Sequence, residues 1–166
     1  MLTETRRTGA LEITTPSPTE IRFSRAFKAP AQLVFDAYTI PALVRRWLLG
    51  PGGWTMPVCE IDLKPGGRFR YVWHHAERGV DMAMGGTYVE IDAPHHITHI
   101  ETFDEDWTGG ETHVRQDFVE KDGVTTVTQV VRYASEAARD GALATPMAEG
   151  MEAGFQRLDS LLAKQN

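Results

Sequence analysis

One cysteine, Cys59, stands in 166 residues, so no internal disulfide can staple the fold, and a packed core has to hold it instead. That usage fits a reducing compartment. No apolar run approaches the roughly 18 residues of a membrane span. Arg6-Arg7 is followed by Thr8-Gly9-Ala10-Leu11-Glu12, which lacks the apolar stretch of a secretory signal. A cytoplasmic location is therefore expected. Positive charge is also scarce: 17 basic residues face 23 acidic ones, a formal net charge of -6, and the basic residues are scattered. That composition argues against nucleic acid as a partner. Phosphate loops, Gly-x-Gly-x-x-Gly and the nucleophile elbow Gly-x-Ser-x-Gly are missing too. Gly50-Pro51-Gly52-Gly53 does not replace them, because it joins a predicted helix to a strand, the reverse of the phosphate-binding order.

What is present points to one domain, with 42% hydrophobic and 24% charged residues. Its organising stretch is 145–164. Thr145 can cap a helix and Pro146 suits its first turn, while Met147, Met151, Phe155, Leu158 and Leu162 form one apolar stripe. Glu149, Glu152, Gln156 and Asp159 are expected to face water. Gly150 and Gly154 flank the stripe, and each weakens a helix by roughly 0.5–1 kcal/mol relative to alanine. Two accounts compensate: close packing of the helix backbone on a sheet, or headroom above a cavity.

Upstream, residues 1 to 8 read as frayed and 11–14 as an edge strand before the Thr15-Pro16-Ser17-Pro18 break. Residues 20–28 alternate as a strand with Ile21, Phe23 and Phe27 on one face. Two short helices follow, one opened by Pro30 and one capped by Thr39. Six strands at hairpin spacing come next, over 54–64, 68–76, 81–91, 96–104, 112–120 and 124–134, and then a short turn at 135–140. This order predicts an α+β fold in which an antiparallel sheet buries one face under the only helix long enough to cover it.

The order of elements resembles the helix-grip fold of the SRPBCC superfamily, which implies a curved seven-stranded antiparallel sheet wrapped around a long C-terminal helix with a cavity between them. Local sequence sharpens the resemblance. Ala29-Pro30, Val34-Phe35-Asp36-Ala37, Pro41, Arg46-Trp47, Asp62-Leu63-Lys64-Pro65-Gly66-Gly67-Arg68-Phe69, Gly150-Met151 and Gly154-Phe155 are similar to the family of activator of heat-shock protein 90 ATPase homologues. On this reading residues 1–19 are an N-terminal extension and 20–166 a single helix-grip domain.

Facing follows from the Asp122-Gly123 turn. A two-residue turn sets Lys121 opposite Val124, and counting back pairs Phe118 with Val127, Gln116 with Gln129, Val114 with Val131 and Thr112 with Tyr133 on the buried face. Gln116 and Gln129 are then facing amides in an apolar surface. They either bond each other, the favoured arrangement, or turn one group to a ligand or trapped water. At Pro65-Gly66-Gly67 an odd loop with a bulge would put Cys59, Ile61 and Leu63 on the face of Phe69, Tyr71 and Trp73, whereas an even loop would put Glu60 and Asp62 there. Apolar matching favours the bulge.

Chemistry is less sharply written. The pairs His74-His75 and His95-His96 point to opposite faces of their strands, so neither chelates as a unit, and His99 and His113 lack a matching carboxylate spacing. Cys59 reads as core, and Trp47 and Trp54 as packing anchors. Glu60, Glu101, Asp81 and Tyr71 could serve acid–base work in the manner of cyclase-like relatives, but no pair is fixed by spacing. The reading is thus of a binding protein without cofactor, metal or assigned catalytic residue. Its ligand would be a small hydrophobic or amphipathic molecule held by Phe69, Tyr71, Trp73, Val114, Gln116, Phe118, Gln129, Val131, Met147, Met151, Gly154 and Phe155. The alternatives are a chaperone-interacting module, as the resemblance implies, and a cyclase or hydrolase acting on aromatic substrates. Converging carboxylates or histidines inside the cavity would favour the enzyme. Oligomeric state stays open.

Overall fold

The computed structural model describes residues 5–165. Its elements are β1 (Arg6–Thr8), β2 (Leu11–Ser17), β3 (Glu20–Phe27), α1 (Ala31–Thr39), α2 (Pro41–Trp47), β4 (Trp54–Ile61), β5 (Arg68–His75), β6 (Val80–Asp92), β7 (His96–Phe103), β8 (Thr112–Lys121), β9 (Val124–Arg132), α3 (Glu136–Leu143) and α4 (Met147–Gln165). The strands form one antiparallel sheet in the order β1-β2-β3-β9-β8-β7-β6-β5-β4. It has nine strands rather than the expected seven, and it is open, with β1 and β4 at its edges. The two additional strands form an N-terminal hairpin. Arg6–Thr8 pairs with 11–13, where the sequence reads as frayed, and residues 1–4 of that stretch lie outside the described residues.

The β8–β9 register agrees with the count from its turn. Asp122 and Gly123 have φ of 54° and 78°, the left-handed pair of a tight hairpin, and Lys121 opposes Val124, Gln116 opposes Gln129 and Val114 opposes Val131. Val114, Phe118, Val127 and Val131 are all buried. In β4–β5, Cys59 lies opposite Tyr71 and Ile61 opposite Phe69, as the bulged loop requires, while Glu60 is exposed. Leu63 departs from that expectation: it lies past the end of β4 and is exposed.

Helix termini depart from the sequence reading because other groups satisfy them. Thr39 does not cap α2, since its hydroxyl donates to the Phe35 carbonyl at 2.9 Å. The first amide of α1, on Ala31, donates to Glu120 Oε1 of the neighbouring sheet at 2.8 Å, a carboxylate at a helix N-terminus. Residues 136–143, read as part of a turn and the approach to the last helix, form α3, with Ser135 accepting the Ala138 N–H at 3.0 Å as its N-cap. Thr145 belongs to that helix's end, where its hydroxyl donates to the Ala142 carbonyl.

A helix the length of α4, about 28 Å at the usual rise per residue, lies on the sheet's buried inner face. Leu158, Leu161 and Leu162 are buried there. Glu152 is the main departure from the helical pattern: it was expected in water and is 5% exposed. Its partner is Arg25, which the alternation of β3 places on the inner face beside Phe23 and Phe27. Arg25 Nε and Nη2 donate to the two Glu152 oxygens at 3.1 and 3.0 Å, and Nη1 and Nη2 donate to Asp159 at 2.8 and 2.9 Å. The guanidinium also stands 4.9 Å from the Phe27 ring centre. Burial works against charge on both groups, but their hydrogen bonds prevail: those to Asp159 and Glu152 raise the Arg25 pKa, and those from Arg25 and the Ala10 amide lower that of Glu152. The N-terminal hairpin completes the shell: Ala10 N–H donates to Glu152 Oε2 at 3.2 Å. Gly9, at φ 58°, brings its backbone so close that a Cβ there would lie 2.5 Å from the same oxygen.

Candidate functional site: a cavity under the first half of the terminal helix

Toward its N-terminus α4 leaves the sheet, and a cavity of about 340 Å³ opens between them. Its floor is built by strand alternation. β5 contributes Phe69, Tyr71 and Trp73, β6 contributes Met84 and Tyr88, and β7 contributes Ile97, His99, Glu101 and Phe103. Gln116 of β8 and Gln129 of β9 continue the same face. Met147, Gly150, Met151, Gly154 and Phe155 of α4 form the roof. The rim comes from residues 48–51 after α2, with Trp54, Met82 and Trp107.

Hydrogen bonds hold that rim in place. Trp73 Nε1 donates to the Leu48 carbonyl at 2.7 Å, and Arg157 Nη1 donates to the Gly50 carbonyl at 2.6 Å. Trp47 is the anchor its pattern suggests: it is 2% exposed, donates to the Ala37 carbonyl at 2.9 Å and stacks on Phe155 at 5.8 Å between centroids. Its ring also reaches the cavity wall. The two helix glycines serve close packing, though against α2 and the loop after it rather than the sheet. A Cβ at Gly154 would lie 2.9 Å from the Trp47 carbonyl oxygen, and one at Gly150 would lie 3.2 Å from Pro51 Cδ.

Nine of the twelve residues expected to hold a ligand line this cavity: Phe69, Tyr71, Trp73, Gln116, Gln129, Met147, Met151, Gly154 and Phe155. Val114, Phe118 and Val131 share the inner face but lie in solid core away from the space. Gln116 Nε2 donates to Gln129 Oε1 at 2.8 Å, so the amides pair with each other, as favoured, while both still border the cavity.

β7 brings together Glu101, one of the four acid–base candidates, and His99, which the spacing left without a carboxylate partner. His99 Nε2 and Glu101 Oε2 are 3.0 Å apart, with side chains 10% and 17% exposed. They lie two residues apart on one strand and so share a face. His99 stands edge-on to Phe69 at 5.2 Å and opposes Tyr88 across the β6–β7 pair. Burial pushes the phenols of Tyr71 and Tyr88 above their ordinary range, with the neighbouring Tyr88, Cys59 and Glu101 adding to the shift at Tyr71. Cys59, buried next to this cluster, has its thiol pushed up by burial, as suits a core residue. The cavity thus offers aromatic walls, a few hydrogen-bonding groups and one carboxylate. Among the described residues it contains no hydroxyl or thiol nucleophile hydrogen-bonded to a base.

The family model for "Activator of Hsp90 ATPase homolog 1-like protein" matches residues 28–163. A structure from Rhodobacter sphaeroides is 35% identical, with a TM-score of 0.88 over 93% of this chain and 99% of the other. Protein Ms6760 from Mycobacterium smegmatis is 23% identical, with a TM-score of 0.77 over 96% and 97% of the two chains. Protein NE0264 from Nitrosomonas europaea, at 18% identity and TM-score 0.79 over 91% and 98%, shares the fold. Comparison with curated proteins finds no match. A match over most of the chain, with a relative above 30% identity along nearly its whole length, means that this chain belongs to the family of activator of Hsp90 ATPase homolog 1-like proteins.

Proposed function

We propose that this protein binds a small hydrophobic or amphipathic molecule in the cavity between the sheet and the first half of α4. The observation that carries the reading is the cavity itself. Its volume of about 340 Å³ falls in the range of small-molecule sites, and its aromatic walls carry few polar groups, as such sites do. A domain that filled this space with side chains would instead have favoured a purely surface-acting module. Docking to a chaperone is the second reading, supported by membership of the family. The exposed apolar side chains of Met82 and Trp107 at the rim are compatible with it.

The test is titration with Nile red, a neutral apolar dye, on the wild type and on Met151→Trp, whose larger side chain would occupy the space beneath α4. Saturable dye binding that Met151→Trp abolishes, with its thermal unfolding kept cooperative, is the expected result. Equal binding by both proteins, or none by the wild type, would sink the reading. Native mass spectrometry of freshly purified protein supplies an independent check, because a tightly held ligand adds a discrete mass.

A further inference from the structure

The cavity lining holds one acidic side chain, Glu101, and no permanently cationic one among the described residues. His99 is the one titratable partner in contact. A carboxylate can only accept, so His99 Nε2 donates in that bond and Nδ1 is left as the ring's second nitrogen. Nδ1 is buried without a partner, and a proton placed there would be an unpaired buried donor.

Glu101 keeps acceptor capacity for something else. Only Oε2 is bonded to His99, and Oε1 has no hydrogen-bond partner among the described residues. Phe69, Tyr71 and Tyr88 line the same cavity, and the negative face of an aromatic ring attracts a cation and repels an anion. The pair does not form a hydrolytic constellation. His99 has no further orienting group at Nδ1, and no hydroxyl or thiol nucleophile stands at its Nε2. A net charge of -6 on the whole chain biases the surroundings the same way.

Resting on the cavity reading above, we propose that this site selects its ligand by charge: it takes an apolar molecule bearing a protonated amine, with the ammonium on Glu101, and rejects apolar carboxylates. Fatty acids and aromatic acids are thereby excluded as its ligands.

Three compounds of one shape separate the cases: 1-naphthylmethylamine, 1-naphthalenemethanol and 1-naphthoate. Each displaces Nile red from the wild type near pH 7 in about 0.5 M salt, where the field of distant surface charges is screened. The expected order of affinity is amine, alcohol, carboxylate, with amine and carboxylate at least about tenfold apart. Glu101→Gln, which keeps the size and removes the charge, should collapse that gap. Glu60→Gln, on the outer side of the same sheet and exposed, should leave it intact. The wild-type series decides without either variant if Glu101→Gln fails to fold. A carboxylate binding as tightly as the amine overturns charge selection, an alcohol as tight as the amine overturns the ammonium assignment, and equal effects of the two glutamine variants overturn the role of Glu101. These results leave the cavity reading standing if Nile red still binds. Failure of the dye and all three compounds to bind overturns both.

Discussion

The two halves of α4 present one apolar stripe to two different environments. From Phe155 onward, the helix is enclosed: Leu158, Leu161 and Leu162 are at most 5% exposed, and Arg25 grips the adjoining flank across the boundary, at Glu152 before it and Asp159 after it. Before Phe155, the same stripe carries half-buried Met147 and Met151 over an open space, and only Gly150 and Gly154 make close backbone contact, with residues from α2 onward. Amphipathic spacing alone does not distinguish these environments. What separates them is the opposing surface: β3 supplies Arg25 to Asp159 of the distal half, whereas α2 and the loop after it prop up the proximal half. One end fixes the helix, and the other is free to roof a cavity.

The largest test of this contrast is Arg25→Ala. Removing one partner of a buried pair leaves the Glu152 charge uncompensated and is expected to cost about 3–5 kcal/mol in urea unfolding. A loss below about 1 kcal/mol would show that the clamp does not fix the helix. Phe155→Ala, at the boundary of the two halves, should cost a similar 3–5 kcal/mol because its ring meets both Phe27 at 5.6 Å and Trp47 at 5.8 Å. Gly154→Leu comes next. With the Trp47 carbonyl 2.9 Å from the new Cβ, overpacking should cost roughly 1–3 kcal/mol, read as a lowered midpoint with unchanged slope. A variant as stable as wild type would mean that α2 yields easily.

Acid should loosen the clamp between Arg25 and α4. The Glu152 pKa is lowered in the fold, so its stabilisation is present above the ordinary carboxylate range near pH 4 and is lost as pH falls from there through the folded value. Stability measured between about pH 5 and 3 should therefore fall more steeply in wild type than in Glu152→Gln, and parallel curves would contradict the assignment. The smallest effect belongs to Met151→Ala. It enlarges a space that already exists, so the loss should stay near or below about 1 kcal/mol, under the range for an enclosed methionine. A larger loss would show that the proximal half is held as firmly as the distal one.

How much of this was legible depended on whether a local signal fixed the geometry. Asp122-Gly123 admits one tight hairpin, so every pair from Lys121 with Val124 to Val114 with Val131 could be counted from the sequence. The odd loop at Pro65-Gly66-Gly67 could be chosen because it matched Cys59 and Ile61 to Tyr71 and Phe69. β7 gave no such guide: Ile97 and Ile100 lie on opposite faces, so alternation does not say whether His99 and Glu101 point in or out. Carrying the register across from Gln116, which opposes Ile97, would have settled it. Glu152 was misplaced for a different reason. It sits on the flank of the stripe, and only Arg25, 127 residues away, makes that flank an interior position. α3 was missed because EAARDGAL carries a glycine and no long apolar face, and β1 because three residues carry too little pattern.

The contact between the first hairpin and Glu152 bears on where this chain can be cut. The family match begins at residue 28, after β3 has ended, yet β3 supplies Arg25 and pairs along the whole of β9. A chain trimmed to the matched segment would bare the edge of β9 and strand a carboxylate inside. Trimming to residue 20 is gentler but still removes the Ala10 amide from Glu152 and uncovers β3. The limit of sequence similarity and the limit of cooperative melting therefore fall at different residues, and proteolytic mapping should find its first protected fragment starting well before residue 20.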